Sequence, residues 1–128
     1  MDINKMCALC EAHDESADHL FFRCSETKKV WDDIRGWLSL WRNISTIRSA
    51  IKWTTRHRTS SAILKKARRI AIMATVYGIW KARNAHIFDG TKFDVARTTL
   101  LIKSSTYTIL YSLYPDDQVI QHLPDTRT

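Results

Sequence analysis

The sequence predicts a mostly α-helical domain, a small bundle of about four helices behind a compact N-terminal segment. The chain has 128 residues, of which 45% are apolar, enough for one modest core. It contains only three glycines and two prolines, which disfavours a turn-rich β-sandwich. Apolar residues recur every three or four positions over long stretches, which is the period of an amphipathic helix.

Two helices are predicted in the first half of the chain. Ser25 is a candidate N-cap for the first one, and its apolar stripe consists of Val30, Ile34, Trp37, Leu38 and Trp41. A second, shorter helix is expected to start at Ser45 or Thr46 and to end near Thr55.

A third, long helix is predicted from Thr59 or Ser60 to about Phe88. The segment 70–80 is apolar on nearly every side, so we expect this helix to be the central one. Gly90 follows the helix and suits a left-handed cap.

A fourth helix is predicted from about Phe93 to Tyr114. Its expected buried face consists of Phe93, Ala96, Leu100, Tyr107, Tyr111 and Tyr114. Residues 106–111 are rich in β-branched and aromatic side chains, which leaves a strand open there. Pro115 ends the helix, and residues 115–128 are expected to form a loose tail.

Charge is distributed unevenly along the chain. The net charge is +7, but residues 1–34 carry eight acids and four bases, whereas residues 35–92 carry thirteen bases and one acid. A basic excess of this size favours an anionic partner, and places any nucleic-acid contact in the middle of the chain.

The three cysteines and one histidine form the pattern Cys7-x2-Cys10-x8-His19-x4-Cys24. Zn²⁺ prefers four tetrahedral nitrogen and sulfur ligands, and a Cys-x2-Cys turn presents two thiolates together. The pattern therefore predicts a zinc knuckle over residues 1–26, packed on a helical bundle over residues 27–114. The competing interpretations are His13 as the fourth ligand, or three buried thiols with surface histidines.

Four protein ligands leave no open coordination position, so the predicted zinc is structural. Three thiolates and four nearby acids make this segment negative, and a phosphate backbone is expected to avoid it. The metal is expected to hold the fold and to orient the helix that follows.

Basic side chains at helical spacing form the candidate nucleic-acid surface. The residues assigned to it are Arg48, Lys52, Arg56, Arg58, Lys65, Lys66, Arg68 and Arg69. Trp41 and Trp53 lie near them in sequence and offer stacking partners. The alternative is an ordinary solvated helix face.

A second motif ends the long helix, with Arg83 and Asn84 inside the apolar run from Trp80 to Phe88. A buried arginine needs acceptors, so we expect this motif to tie helix ends together. Trp31, just after the last cysteine, is expected to pack on Leu20 or Phe21.

These two motifs resemble the zinc-binding domain of reverse transcriptases from plant non-LTR retrotransposons. The matching residues are Cys7, Cys10, Glu15, Ser16, the run from His19 to Phe22, Cys24, Val30, Trp31, and the later Ile79-Trp80-Lys81-x-Arg83-Asn84-x2-Ile87-Phe88. The resemblance implies a structural Cys₃His zinc and descent from an element that handles RNA and DNA. The polymerase and RNase H domains of that family are absent, so we expect a stand-alone fragment or a domesticated remnant.

Two function classes remain from the sequence. One is a non-catalytic nucleic-acid-binding module; the other is a domesticated protein-interaction module, such as a regulator, a toxin–antidote partner or a homodimer. An enzyme or a small-molecule site is not expected, because no catalytic constellation is visible. No apolar run is long enough to span a membrane and no secretory signal opens the chain, so a nuclear or cytoplasmic location is expected.

Overall fold

The computed structural model describes residues 6–38, 46, 48–50, 52 and 62–123. Four α-helices have both ends in this part of the chain: α1 (Ser25–Trp37), α2 (Ala62–Asp89), α3 (Val95–Leu113) and α4 (Asp116–His122). Residues 48–50 and 52 are helical as well. A π-helical turn, His19–Arg23, precedes α1. The described residues contain no strand, only one isolated bridge between Met6 and Asp14. The predicted mostly helical class is confirmed.

Helix α2 is the central element, because it contacts α1, α3, α4 and the π-helical turn. It ends at Asp89, and Gly90 follows with a left-handed φ of 70°. A methyl group added at Gly78 would lie 3.0 Å from the side chain of Ile102, so α2 and α3 approach each other closely at this point. The sequence correctly predicted the central position and the glycine stop of this helix.

Two buried clusters hold the bundle together. The first joins α1, α2, α3 and α4 and consists of Val30, Ile34, Trp37, Leu38, Ala67, Ala71, Ile102, Leu110, Val119 and Leu123. The second joins the cysteine-containing segment to α1 and α2, and consists of Cys7, Leu20, Phe22, Cys24, Trp31, Ala50, Ile72 and Ile79. The N-terminal segment therefore packs directly on the helices.

The buried face of α3 differs from the predicted one. Thr98, Thr99, Ile102, Thr106 and Leu110 are buried, whereas Ala96, Leu100 and Tyr111 are exposed. The Thr106 hydroxyl donates to the Ile102 carbonyl at 2.9 Å, so the helix itself satisfies this polar group. Thr75 of α2 makes the same kind of bond to Ala71, at 2.6 Å. Residues 106–111 are helical, which removes the strand alternative.

The helix ends also differ in detail from the prediction. The N-cap of α1 is Cys24 instead of Ser25, since Cys24 has the extended backbone and Ser25 is already helical. The short helix predicted between Ser45 and Thr55 is described only at residues 48–50 and 52, which are helical. The Thr46 hydroxyl accepts a hydrogen bond from the Ser49 amide at 3.0 Å, which agrees with Thr46 as the N-cap of that helix. The predicted Trp41 contact lies outside the described residues.

The expected loose tail from residue 115 is wrong for its first part. Residues 116–122 form α4, and Val119 and Leu123 are buried in the first cluster. Two apolar side chains four residues apart suffice to dock a short helix on α2 and α3. Residues 124–128 lie outside the described part of the chain.

Candidate metal centre

The first two cysteines lie in a tight turn of the ligand loop, the name used here for residues 6–18. The Cys7 amide donates to the His13 carbonyl at 2.8 Å, and the Glu11 amide donates to the Cys7 carbonyl at 2.9 Å. Glu11 completes this turn with a φ of 55°, a left-handed conformation that is uncommon for a residue other than glycine. The turn folds the chain back, and the Sγ atoms of Cys7 and Cys10 lie within 4.8 Å of each other.

The other two candidate ligands lie at the two ends of the π-helical turn. The His19 amide is held by the Ser16 hydroxyl at 3.1 Å, and the Cys24 amide donates to the His19 carbonyl at 2.6 Å. This bond spans five residues, so the turn brings His19 and Cys24 to one side. The wider π-helical turn, with its bond across five residues, is therefore what places these two candidate ligands side by side.

The structure brings Cys7, Cys10, His19 and Cys24 into one group, with all four ligand atoms within 4.8 Å of one another. The Sγ atoms of Cys7 and Cys24 are 3.8 Å apart, and Cys10 Sγ lies 3.3 Å from His19 Nε2. Two thiolates bound to one tetrahedral zinc at about 2.3 Å stand about 3.8 Å apart. The donor types and their spacing therefore fit zinc.

His13 does not belong to this group. Its ring centroid lies 5.3 Å from that of His19, and its side chain is exposed. Among the described residues, the four-ligand set contains His19 and no other histidine. The preference for His19 over His13 agrees with this arrangement.

Protonation of the thiols reflects their surroundings. Burial, followed by the nearby Cys24, raises the pKa of Cys7 to about 12. At Cys10, burial acts in the same direction, but hydrogen bonds from the Ala12 amide and the His19 side chain outweigh it and lower the pKa to about 7. The Cys10 thiol therefore ionises near neutral pH. The Cys7 thiol stays protonated there, so a metal ion that binds it must displace its proton.

Arg83 connects α2 to the ligand loop through Glu15. The Arg83 guanidinium donates to both carboxylate oxygens of Glu15, at 3.0 Å for the Nη2 contact, and also to the Asn84 side chain at 3.3 Å. Both charged side chains are about one-fifth exposed. The sequence predicted that Arg83 and Asn84 tie helix ends together, whereas Arg83 joins α2 to the ligand loop, and Glu15 was not assigned as its partner. The presence of Glu15 in the N-terminal motif was the sequence signal that could have pointed to this partner.

Trp31 anchors the π-helical turn on α1. Its ring is buried and stacks on Phe22, with the ring centroids 5.3 Å apart, and its indole N–H donates to the Phe21 carbonyl. Trp31 was expected to pack on Leu20 or Phe21, and it shares one buried cluster with Leu20, with Phe21 packed against that cluster; the stacking on Phe22 was not predicted. This contact fixes the segment between His19 and Cys24 against the first helix.

Two residues of the second motif are less buried than predicted. Phe88, which the sequence assigned a structural role, is 77% exposed, and Trp80 is 45% exposed. Met73 and Tyr77 are exposed as well, so α2 is not covered on every side by the described residues. The apolar run 70–80 therefore contains a surface stripe that helical periodicity did not separate from the core.

The predicted basic surface is only partly assembled. Arg48, Lys52, Lys65, Lys66 and Arg69 are exposed. The assignment of Arg68 to this surface is wrong: it is 6% exposed, and its guanidinium donates to the Leu38 carbonyl at 3.2 Å and 3.4 Å. Burial lowers the pKa of Arg68. Arg56, Arg58, Trp41 and Trp53 lie outside the described residues.

Comparison with known families identifies the N-terminal segment. A family model described as zinc-binding in reverse transcriptase matches residues 1–31. The matched segment contains all four ligands and Trp31, which confirms the resemblance for this part of the chain. The match ends before the Trp80–Phe88 motif, and the likeness of that motif and the plant origin stay predictions. Comparison with curated proteins and with solved structures found no match.

In the described part of the chain, no helix combines the length and the hydropathy that crossing a membrane requires.

Proposed function

We propose that this chain is a non-catalytic zinc module derived from a retrotransposon reverse transcriptase, and that it binds RNA or DNA through a basic helical surface. The observation that carries the proposal is the Cys₃His group inside a segment that matches a zinc-binding family of reverse transcriptases. Zinc serves as the scaffold and the helices supply the contacts.

A structural role for zinc follows from the ligand count and from burial. Four protein ligands complete a tetrahedral shell, so no position is left for a reactive water. Cys7 and Cys24 are fully buried and share one cluster with Trp31 and Ile79. Metal binding therefore stabilises the junction between the ligand loop and the helices.

The basic contacts are assigned to Lys65, Lys66 and Arg69, which we call the basic face. All three lie in the first turns of α2, all are exposed, and none takes part in an ion pair within the described part of the chain. Unpaired cations on a regular helix can neutralise phosphates and release counterions, which makes binding strongly salt-dependent. Arg48 and Lys52 are exposed on a nearby stretch of sequence and extend the charge.

The test compares two triple charge reversals by fluorescence anisotropy with a labelled single-stranded oligonucleotide. The first variant is Lys65→Glu/Lys66→Glu/Arg69→Glu. The matched control is Lys28→Glu/Lys92→Glu/Arg97→Glu, which changes the net charge equally at exposed positions elsewhere. We expect the first variant to lose binding and the control to retain most of it. Wild-type affinity in the first variant would contradict the proposed surface.

A protein-interaction module is the second candidate, and exposed apolar side chains on α3 and α4 favour it. Leu100, Leu101, Leu113 and Ile120 are each more than half exposed. Under this alternative the domesticated module acts as a regulator or as one member of a toxin–antidote pair. A stoichiometric protein complex that survives nuclease treatment and is lost in Leu100→Ser/Leu101→Ser would favour it.

A further inference from the structure

An apolar groove of about 450 Å³ lies between the π-helical turn and α2. Among the described residues, every lining side chain is apolar or aromatic, and the principal ones are Phe21, Phe22, Ile72, Met73, Tyr77 and Trp80. Phe22 and Ile72 form the buried floor, whereas Tyr77 and Trp80 are 62% and 45% exposed. Flat aromatic faces therefore stand at the mouth of the groove.

The groove continues the basic face along the same side of α2. Lys66, Arg69, Met73, Tyr77 and Trp80 follow one another at steps of three or four residues, and all five are exposed. At about 1.5 Å per residue, Arg69 and Tyr77 are about 12 Å apart along the helix axis. A polyanion bound to the basic face thus reaches the groove within a few of its units.

Cations also stand beside the two exposed rings. The Lys81 ammonium lies 5.5 Å from the centre of the Tyr77 ring, and the Arg83 guanidinium lies 5.5 Å from the centre of the Trp80 ring. Arg83 is already paired with Glu15, so Lys81 is the cation at the groove that can meet a phosphate. An aromatic surface with a neighbouring cation suits a planar base attached to a phosphate backbone.

We infer that this groove stacks unpaired bases of a single-stranded nucleic acid on Trp80 and Tyr77, while the basic face and Lys81 hold the backbone. The inference rests on the proposed function and narrows the nucleic acid to single strands. The bases of a double strand are already paired and stacked on one another, so they are not free to stack on protein side chains. Charge complementarity selects this occupant: the part of α2 that leads to the groove carries Lys65, Lys66 and Arg69, which are exposed and form no ion pair with any described residue. Stacking is tolerant of sequence, so little base preference is expected.

The test uses two labelled oligonucleotides of equal length, one with normal bases and one in which most positions are abasic. Both carry the same phosphates, so any difference between them reports contacts to the bases. Wild-type protein should bind the normal strand about tenfold more tightly than the abasic strand. Trp80→Ala should reduce binding of the normal strand towards the abasic level and leave abasic binding and its salt dependence unchanged.

Phe88→Ala provides the matched control, because Phe88 is an exposed aromatic on the same helix that does not line the groove. It should bind both strands like the wild type. Trp80→Phe keeps an aromatic face and should retain most of the preference, which separates stacking from a loss of folding. Circular dichroism of each variant should show unchanged helix content.

Two outcomes would overturn the inference in different ways. Equal, salt-dependent binding of the normal and abasic strands by the wild type would leave the proposed function standing and assign the groove to something other than a base, such as an apolar side chain of a partner protein. Binding of neither strand would reject the proposed function and this inference together.

Discussion

The guanidinium of Arg83 on α2 donates two hydrogen bonds to the carboxylate of Glu15 in the ligand loop, 68 residues away in sequence. Both side chains are largely shielded from water, so this ion pair is screened less than an exposed one. The pair fixes the far end of α2 to the loop that carries Cys7 and Cys10. The ligand loop and α2 are therefore held together by a direct ion pair as well as by apolar packing.

We predict that Glu15 and Arg83 are energetically coupled. A double-mutant cycle with Glu15→Gln and Arg83→Met, followed by urea unfolding of the zinc-loaded protein, should give a coupling free energy of about 1–2 kcal/mol. The control cycle uses Glu26→Gln and Lys29→Met, an i,i+3 pair whose lysine is 60% exposed, and should give about 0.3 kcal/mol. Equal coupling free energies in the two cycles would mean that the Glu15–Arg83 pair contributes no more to stability than an exposed ion pair.

We predict that Cys24→Ser abolishes zinc binding and destabilises the protein. A serine hydroxyl does not ionise near neutral pH and is a poor zinc ligand, so the variant loses one of the four candidate ligands. The midpoint of thermal unfolding should fall by about 10 °C or more, and the same fall should follow treatment of the wild type with a chelator. If Cys24→Ser melted like the untreated wild type, and the chelator left the wild-type midpoint unchanged, the cysteine cluster would not be a metal site.

Zinc affinity should decrease as the pH falls. Because the pKa of Cys7 is raised to about 12, this thiol is protonated in the metal-free protein at every pH below that value, and zinc displaces one proton there. Below pH 7, Cys10 also becomes protonated, since its pKa is about 7, and a second proton is displaced. Competition with a chromogenic chelator should show an affinity loss of at least about tenfold per pH unit, which becomes steeper below pH 7. A flat profile would exclude thiolate ligation.

Adjacent arginines should give opposite results. Arg68→Met leaves the Leu38 carbonyl without its arginine donor and should cost about 1–3 kcal/mol in the free energy of unfolding, with little change in nucleic-acid affinity. Arg69→Met removes an exposed cation, so stability should stay within about 0.5 kcal/mol while affinity falls. Urea unfolding and anisotropy titration of both variants test the assignment; the reverse pattern would contradict it.

The metal centre was predictable because its information is local. Cys7, Cys10, His19 and Cys24 lie within 18 residues, and the chemistry of zinc limits how such residues combine. His19 was preferred to His13 from the sequence, and the fold adds the physical reason, a π-helical turn that places His19 beside Cys24. The role of Glu15 needed the fold, since its partner is distant in sequence.

Side-chain burial on the long helices was predicted less well. Hydropathy favours leucine over threonine in a core, yet Thr106 is fully buried and Leu100 is more than half exposed. The Thr106 and Thr75 hydroxyls bond to carbonyls of their own helices, which removes most of the desolvation penalty at these two positions. The burial of Arg68 was mispredicted for a related reason, because the Leu38 carbonyl at the end of α1 accepts two hydrogen bonds from a guanidinium that charge counting places on the surface.

Native mass spectrometry of three proteins shows whether Cys7, Cys10, His19 and Cys24 hold a structural zinc. The wild type and His13→Ala should each carry one zinc per chain, and His19→Ala should carry little or none. Loss of zinc in His13→Ala with retention in His19→Ala, or a wild type that binds no zinc, would contradict the account.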